Sequence, residues 1–147
     1  LYSGTVSAAR EGNFRGVNSI AISLDSDKNT DFTSSKIISK KIVKTVINNK
    51  LPSGTFLNVT VPNLSMEKIK GFKITRQGSM YFSDNFEKIK SSRGLEGYWL
   101  TADHHDPDPS KDSDSVAVKE GYVSITPLHS EQTNFNFIEK LSAWSLN

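Results

Sequence analysis

Hydrophobic residues recur along this 147-residue chain with two periods, and each change of period marks a boundary between a helix and a strand. Val6-Ser7-Ala8-Ala9-Arg10-Glu11 is a helix-forming run, and Phe14-Arg15-Gly16-Val17-Asn18 predicts its end, with Gly16 as a left-handed exit. Ser19-Ile20-Ala21-Ile22-Ser23-Leu24 is the short apolar run expected of a strand buried on both faces. A polar loop follows over 25–30. The spacing then predicts a helix over about 31–48, with Ile38, Ile42 and Val46 as a seam at four-residue intervals and Val43 and Thr45 flanking it. Leu51-Pro52-Ser53-Gly54 stops that helix.

Thr55-Phe56-Leu57-Asn58-Val59-Thr60-Val61-Pro62 alternates and is rich in β-branched residues, so it predicts a strand closed by proline. Residues 66–70 are expected to form one helical turn and residues 71–78 another strand. Helix, strand, helix, strand in succession points to an α/β layer built on a parallel sheet. The rhythm breaks from 79 to 93, after which Gly97-Tyr98-Trp99-Leu100-Thr101 is strand-like again. Paired with the strand at 72–77 it would make a long hairpin, a protruding arm over about 72–101. Tyr81, Phe82, Tyr98 and Trp99 on that arm either serve a subunit contact or pack onto the domain's own core. Residues 102–114 form an aspartate- and proline-rich loop, 121–128 a strand, and 134–146 a final amphipathic helix with Phe137, Leu141 and Trp144 as its seam.

Composition narrows the class. The length suits one domain with one core. Eighteen basic side chains against sixteen acidic give a net charge of +2, a balance that predicts neither a nucleic acid polymer nor a membrane surface as partner. Lys36, Lys40 and Lys44 share the outer face of the second helix, and a solvated face is the better reading of that stripe. The absence of cysteine removes a disulfide framework and a thiolate metal site. No run approaches the roughly 18 apolar residues of a membrane span, and no signal-peptide pattern is present, so a cytoplasmic protein is expected. The chain starts at Leu1, not Met, directly on what looks like a functional turn, which gives the expectation of the later part of a longer protein.

Candidate chemistry begins with Ser3-Gly4-Thr5. Two hydroxyls and a bare backbone precede the first helix, where free N–H groups and the positive end of the helix dipole can hold a phosphate. The same residues also suit a plain helix cap. Asp103-His104-His105-Asp106-Pro107-Asp108 carries imidazole and carboxylate groups at close spacing, but adjacent ligands on one loop seldom converge on an ion, and a solvated acidic loop is preferred. Asp112, Ser113 and Asp114 are better anchored beside the following strand, and His129 is read as structural. There is no P-loop, no Gly-x-Ser-x-Gly elbow and no cysteine nucleophile.

Several stretches resemble the SurE survival-protein family of metal-dependent 5'-nucleotidases. Tyr2-Ser3-Gly4-Thr5-Val6 looks like its turn and helix, and Leu57-Asn58-Val59-Thr60-Val61-Pro62 is close to its Leu-Asn-Val-Asn-Val-Pro. Ile69-Lys70-Gly71-Phe72-Lys73-Ile74-Thr75-Arg76-Gln77-Gly78 is similar to its Ile-Lys-Gly-x-x-Val-Thr-Arg-x-Gly. Arg93-Gly94 with Tyr98-Trp99 looks like its Pro-Arg-Gly-x-x-Tyr-Tyr-Trp, and Glu120-Gly121-Tyr122-Val123-Ser124-Ile125-Thr126-Pro127-Leu128 matches as it stands.

The resemblance implies a three-layer α/β/α enzyme that releases phosphate from nucleoside 5'-monophosphates, and in some members from 3'-monophosphates or short polyphosphates. It implies a divalent cation, Mg2+ or Mn2+, that orients the phosphate and activates water. Ser3, Gly4 and Thr5 map onto the family's active-site turn, where hydroxyls and helix-start amides would stabilise charge, Ser3 and Thr5 as catalytic residues and all three as phosphate-binding. Ser113-Asp114 matches Thr-Asp in the family's Gly-Thr-Asp-x-x-Ala-Val and marks a possible active-site loop, although Asp112 replaces the glycine. The family's metal ligands, paired aspartates followed by a serine and an asparagine, all precede the turn, so no residue here maps onto one. On this view residues 1–147 are the C-terminal portion of a single domain, inactive alone and active as the complete chain. The resemblance further implies a homodimer or homotetramer joined through the hairpin and exchanged C-terminal segments. The alternatives are an assembly module, or a nucleotide-binding protein without catalysis.

Overall fold

A computed structural model describes residues 3–26 and 30–145. Leu1 and Tyr2 of the opening motif, the middle of the loop at 25–30 and Leu146 of the last helix lie outside the described residues, as does the side chain of His104. The elements in order are α1 (Gly4–Phe14), β1 (Ile20–Asp25), α2 (Thr33–Asn49), β2 (Thr55–Pro62), β3 (Phe72–Ile74), β4 (Tyr81–Lys90), β5 (Glu96–His105), α3 (Asp114–Lys119), β6 (Val123–His129) and α4 (Phe135–Ser142).

Four strands form one sheet in the order β1-β2-β6-β3. β1 runs parallel to β2 and β3 parallel to β6, but β2 and β6 are antiparallel, so the sheet is mixed, not parallel throughout. The helix–strand alternation that predicted a parallel sheet holds for α1 to β2. It fails afterwards because the chain already reverses between β2 and β3, and β6, which follows the arm, enters beside β3 in that same reversed sense.

Alternation along the strands sorts their side chains onto two faces. Ile20, Ile22, Leu24, Leu57, Val59, Val61, Val123 and Ile125 pack with Ile38, Ile42 and Val46, the seam of α2. On the other face Ala21, Phe56 and Leu128 meet Val6 and Ala9 of α1. Helix, sheet and helix therefore make the three layers expected. α1 leaves through Gly16 at φ 77°, the left-handed exit read from the sequence.

The hairpin forms, with different strands. β4 and β5 pair antiparallel from Tyr81↔His105 to Lys90↔Glu96, whereas Phe72 to Ile74 belong to the main sheet. The arm thus spans 81–105, not 72–101, and residues 102–105 are strand, not loop. The charged and polar residues of 83–90 hid β4 from the sequence rhythm, and the short β3 is claimed by Val123, Ser124 and Ile125 of β6. Tyr81, Phe82, Tyr98 and Trp99 are all exposed on the arm, so they do not pack on the domain's own core. α4 likewise buries none of its side chains: Phe137, Leu141 and Trp144 are exposed, and Phe137 and Trp144 touch edge to face.

One helix was not anticipated. α3 begins at the last residue of the expected 102–114 loop and runs on to Lys119, and it closes with Gly121 at φ 88°. There the Tyr122 N–H donates to the Ala117 carbonyl and the Gly121 N–H to the Val118 carbonyl, the paired bonds of a Schellman ending.

Candidate active site

The sheet face shared by α1 is apolar where β1 and β2 start and β6 finishes, and polar towards the carboxyl ends of β1 and β2. By alternation Ser23 and Asp25 follow Ala21 onto this face, and Asn58 and Thr60 follow Phe56. Ser124 and Thr126 are buried there, and the Thr75 hydroxyl lies 2.7 Å from the Ser124 Oγ and 2.7 Å from the Thr126 Oγ1. Ligands of α/β sheets tend to gather at such strand ends.

α1 points its N-terminus the same way. Near its C-terminal end Asn13 Nδ2 donates to the Thr55 carbonyl at 2.9 Å and Arg10 Nε to the Ser130 carbonyl at 3.2 Å, both where β2 starts and β6 finishes. The helix axis therefore runs antiparallel to β1 and β2, and Ser3-Gly4-Thr5 opens towards Asp25 and Thr60. Ser3 is the N-cap: its Oγ accepts the Val6 N–H at 3.2 Å. Ser3, Gly4 and Thr5 are exposed, and a Cβ added at Gly4 would have nothing within 4 Å. The bend is open, with room for a ligand beside its backbone.

A cleft of about 110 Å³ lies at this end of the sheet, lined by Asp25, Thr60, Met80, Asp114, Ser115, Val118 and Lys119. Asp114, one of the residues singled out from the sequence, sits in its wall. Ser113 lies behind, fully buried, with its Oγ 2.9 Å from the Ser115 Oγ. Ser3, Gly4 and Thr5 do not line the cleft, so the structure brings the two groups of candidates to one end of the sheet without joining them in one cavity. The sequence reading missed Asp25, Thr60, Ser115 and Lys119. The polar register of β2, Asn58 and Thr60 opposite an apolar one, was the available signal.

The loop that carries Asp114 is held by charge. Arg76 bonds both Asp108 carboxylate oxygens, at 2.7 and 3.1 Å, and Asp112 Oδ2 at 3.1 Å. Arg76, with smaller help from Ser110, brings the Asp108 carboxyl down to about 2, and Asp108 and Asp112 raise the guanidinium in turn. Lys119 pairs with Asp106 at 2.6 Å, and Lys119 first, then Ser115, lower the Asp106 carboxyl. The acidic stretch read as a solvated loop is therefore partly strand and partly a latch, with Asp106 and Asp108 half-buried.

Among the described residues no three His, Cys, Asp or Glu side chains gather into a set that could hold a metal ion. A larger hollow of about 420 Å³ on the α2 face, walled by Ile42, Val46, Leu57, Phe72, Ile74 and Ile125, is apolar and unsuited to an anion.

Three layers, a mixed sheet and a polar cleft near an open helix start define an α/β protein. Comparison with known proteins gives the family. The family model described as Survival protein SurE matches residues 1–84, and the chain belongs to that family. It is 43% identical over 148 residues to a protein of Christiangramia forsetii named 5'-nucleotidase SurE, covering 100% of this chain and 57% of the relative. A protein of the same name from Syntrophobacter fumaroxidans is 40% identical, over 99% of this chain and 58% of the relative. The crystal structure of the Aquifex aeolicus SurE protein superposes with a TM-score of 0.78 at 40% identity, covering 96% of this chain and 57% of that one. The chain thus spans a little over half the length of these relatives. Among the described residues no helix is long and apolar enough to cross a membrane.

Proposed function

We propose that this chain is the C-terminal portion of a metal-dependent phosphomonoesterase that releases phosphate from nucleoside 5'-monophosphates, with 3'-monophosphates and short polyphosphates as further candidate substrates. The observation that carries the reading is the open start of α1. The first amides of a helix have no intrahelical acceptor, and together with the dipole they favour a dianion at that end. Gly4 leaves the backbone approachable, and the Ser3 hydroxyl, although it accepts the Val6 N–H, still has its own proton to donate. In the proposal Ser3, Gly4 and Thr5 bind the phosphoryl oxygens, Ser3 and Thr5 stabilise the charge that builds on them, and the Ser113-Asp114 loop borders the same site. The divalent cation, Mg2+ or Mn2+, would be held by residues outside this sequence, and the protein would work in the cytoplasm.

The test is phosphate release from nucleoside monophosphates by the full-length protein with Mg2+ or Mn2+. Activity is expected, and its absence with every divalent ion would end the proposal. Thr5→Val should then lower kcat by about 10²-fold, the scale of one lost donor to a developing oxyanion. An unchanged kcat removes Thr5 from the chemistry.

A second reading concerns assembly and is compatible with the first. The ribbon of β4 and β5 sends Phe82, Phe86, Tyr98 and Leu100 to one face by alternation, all more than half exposed, and α4 exposes Phe137, Leu141 and Trp144. We infer self-association through these two elements, as a homodimer or homotetramer. Sedimentation of the protein with residues 81–105 deleted should show a smaller species, and an unchanged one would exclude the arm.

A further inference from the structure

β3 ends at Ile74, and the four residues after it act as a clip. The Arg76 N–H donates to the Asp112 carbonyl at 2.9 Å, and the Arg76 carbonyl accepts the Asp114 N–H at 3.0 Å, so the backbone is fixed on both sides of Ser113. Gly78 donates its N–H to Asp114 Oδ1 at 2.9 Å, and the same oxygen accepts the Ser115 N–H at 2.8 Å. A Cβ at residue 78 would stand 2.7 Å from Ser113 Oγ and 3.0 Å from Asp114 Oδ1, so a side chain there would have to displace one or both of them. Apart from one bond to the neighbouring Gln77 carbonyl, the side-chain bonds of Arg76 among the described residues go to Asp108 or Asp112, within the segment that leads into Asp114.

Exposed ion pairs contribute little to stability, and the Arg76 side chain is 47% exposed. A guanidinium gripping two oxygens of one carboxylate and a third on another is instead a device of orientation, which a lysine cannot reproduce. The geometry points to Arg76 as a positioning residue: it holds the 108–114 segment so that the Asp114 carboxylate, seated on the Gly78 and Ser115 amides, faces the cleft with Asp25 and Thr60. This rests on the proposal that the Asp114 loop borders the phosphate site.

The experiment uses the full-length protein with Arg76→Met, Arg76→Lys, Asp114→Asn and the Arg76→Met/Asp114→Asn pair. Two quantities are read: hydrogen exchange at the Gly78 amide, and kcat and KM for a nucleoside monophosphate. Arg76→Met should speed Gly78 exchange and lower kcat by about 10- to 100-fold, the scale of a displaced active-site group, with KM moved far less. Arg76→Lys should not restore either. With Asp114 already neutralised, loss of Arg76 should cost no further kcat, whereas a merely structural role would multiply the two losses. Unchanged Gly78 exchange in Arg76→Met, an undiminished kcat in Asp114→Asn, or multiplying losses would each overturn the assignment. If the unsubstituted protein releases no phosphate, the proposed function falls by itself, and Gly78 exchange alone then decides whether Arg76 holds Asp114.

Discussion

The two faces of the main sheet are built from the same strands and do different work. Towards α2 the contributions are aliphatic throughout: Ile20, Ile22 and Leu24 from β1, Leu57, Val59 and Val61 from β2, Val123 and Ile125 from β6. Towards α1 the strands are apolar only where the helix covers them, at Ala21, Phe56 and Leu128. Beyond that patch they turn to Asn58, Thr60, Ser124 and Thr126, and the cleft with Asp25 and Asp114 opens there. Aliphatic side chains supply the burial that holds the layers together, whereas hydroxyls and carboxylates keep polar groups open to the cleft. Dividing the roles by strand register lets one set of strands supply both.

That division is best attacked by paired substitutions. Ile38→Ala, at 2% exposure in the α2 seam, should cost about 2–5 kcal/mol of unfolding free energy in denaturant titration and leave the cleft intact. Thr60→Val on the opposite face should change stability by about 0.5 kcal/mol or less. Equal losses from both would mean that the polar face is also part of the structural core.

A smaller effect separates capping from binding at the start of α1. Ser3→Ala removes the acceptor of the Val6 N–H and should cost about 1 kcal/mol, while Ser3→Gly should cost only a few tenths. If Ser3→Gly keeps stability yet loses phosphate release in the full-length protein, the hydroxyl serves the ligand as well as the helix. Undiminished phosphate release by both variants would reduce Ser3 to a cap.

The smallest expected effect is that of pH on the latch. Asp108 titrates at about 2 in the folded chain against an ordinary value of 3.8, lowered chiefly by Arg76. A lowered folded value stabilises the fold fully above about pH 3.8 and loses that contribution as pH falls towards 2. Gly78 amide protection should therefore persist at pH 5, with exchange corrected for its intrinsic pH dependence, and fade between pH 4 and about 2. Loss of protection above pH 5 would show that Asp108 does not hold the loop.

Local pattern was enough for α2, where Ile38, Ile42 and Val46 are the buried seam that their spacing indicated, and it located β1 and β2, although β1, expected to be buried on both faces, buries only Ala21. It was not enough for the arm, because the mixed polar and charged residues of 83–90 break the strand rhythm, and only pairing with β5 makes that segment β4. α3 was hidden by the aspartates and prolines before it, although Ser113 ahead of the helix and Gly121 after it are ordinary helix punctuation. Arg76 and Gly78 stood in a motif whose purpose emerges only when Asp108, Asp112 and Asp114, more than thirty positions away, are folded against them.

What the sequence determined alone is what depends on neighbours within a turn or two: the segments of α1, α2, β1 and β2, the apolar seam of α2, and where Ser3, Gly4 and Thr5 open a helix. The tertiary structure decided which strands pair, in which sense β6 enters the sheet, and which carboxylate Gly78 and Arg76 hold. Those outcomes come from contacts between residues far apart in the chain, where the backbone hydrogen bonds available to one strand are the same for every partner and only packing of the whole selects among them.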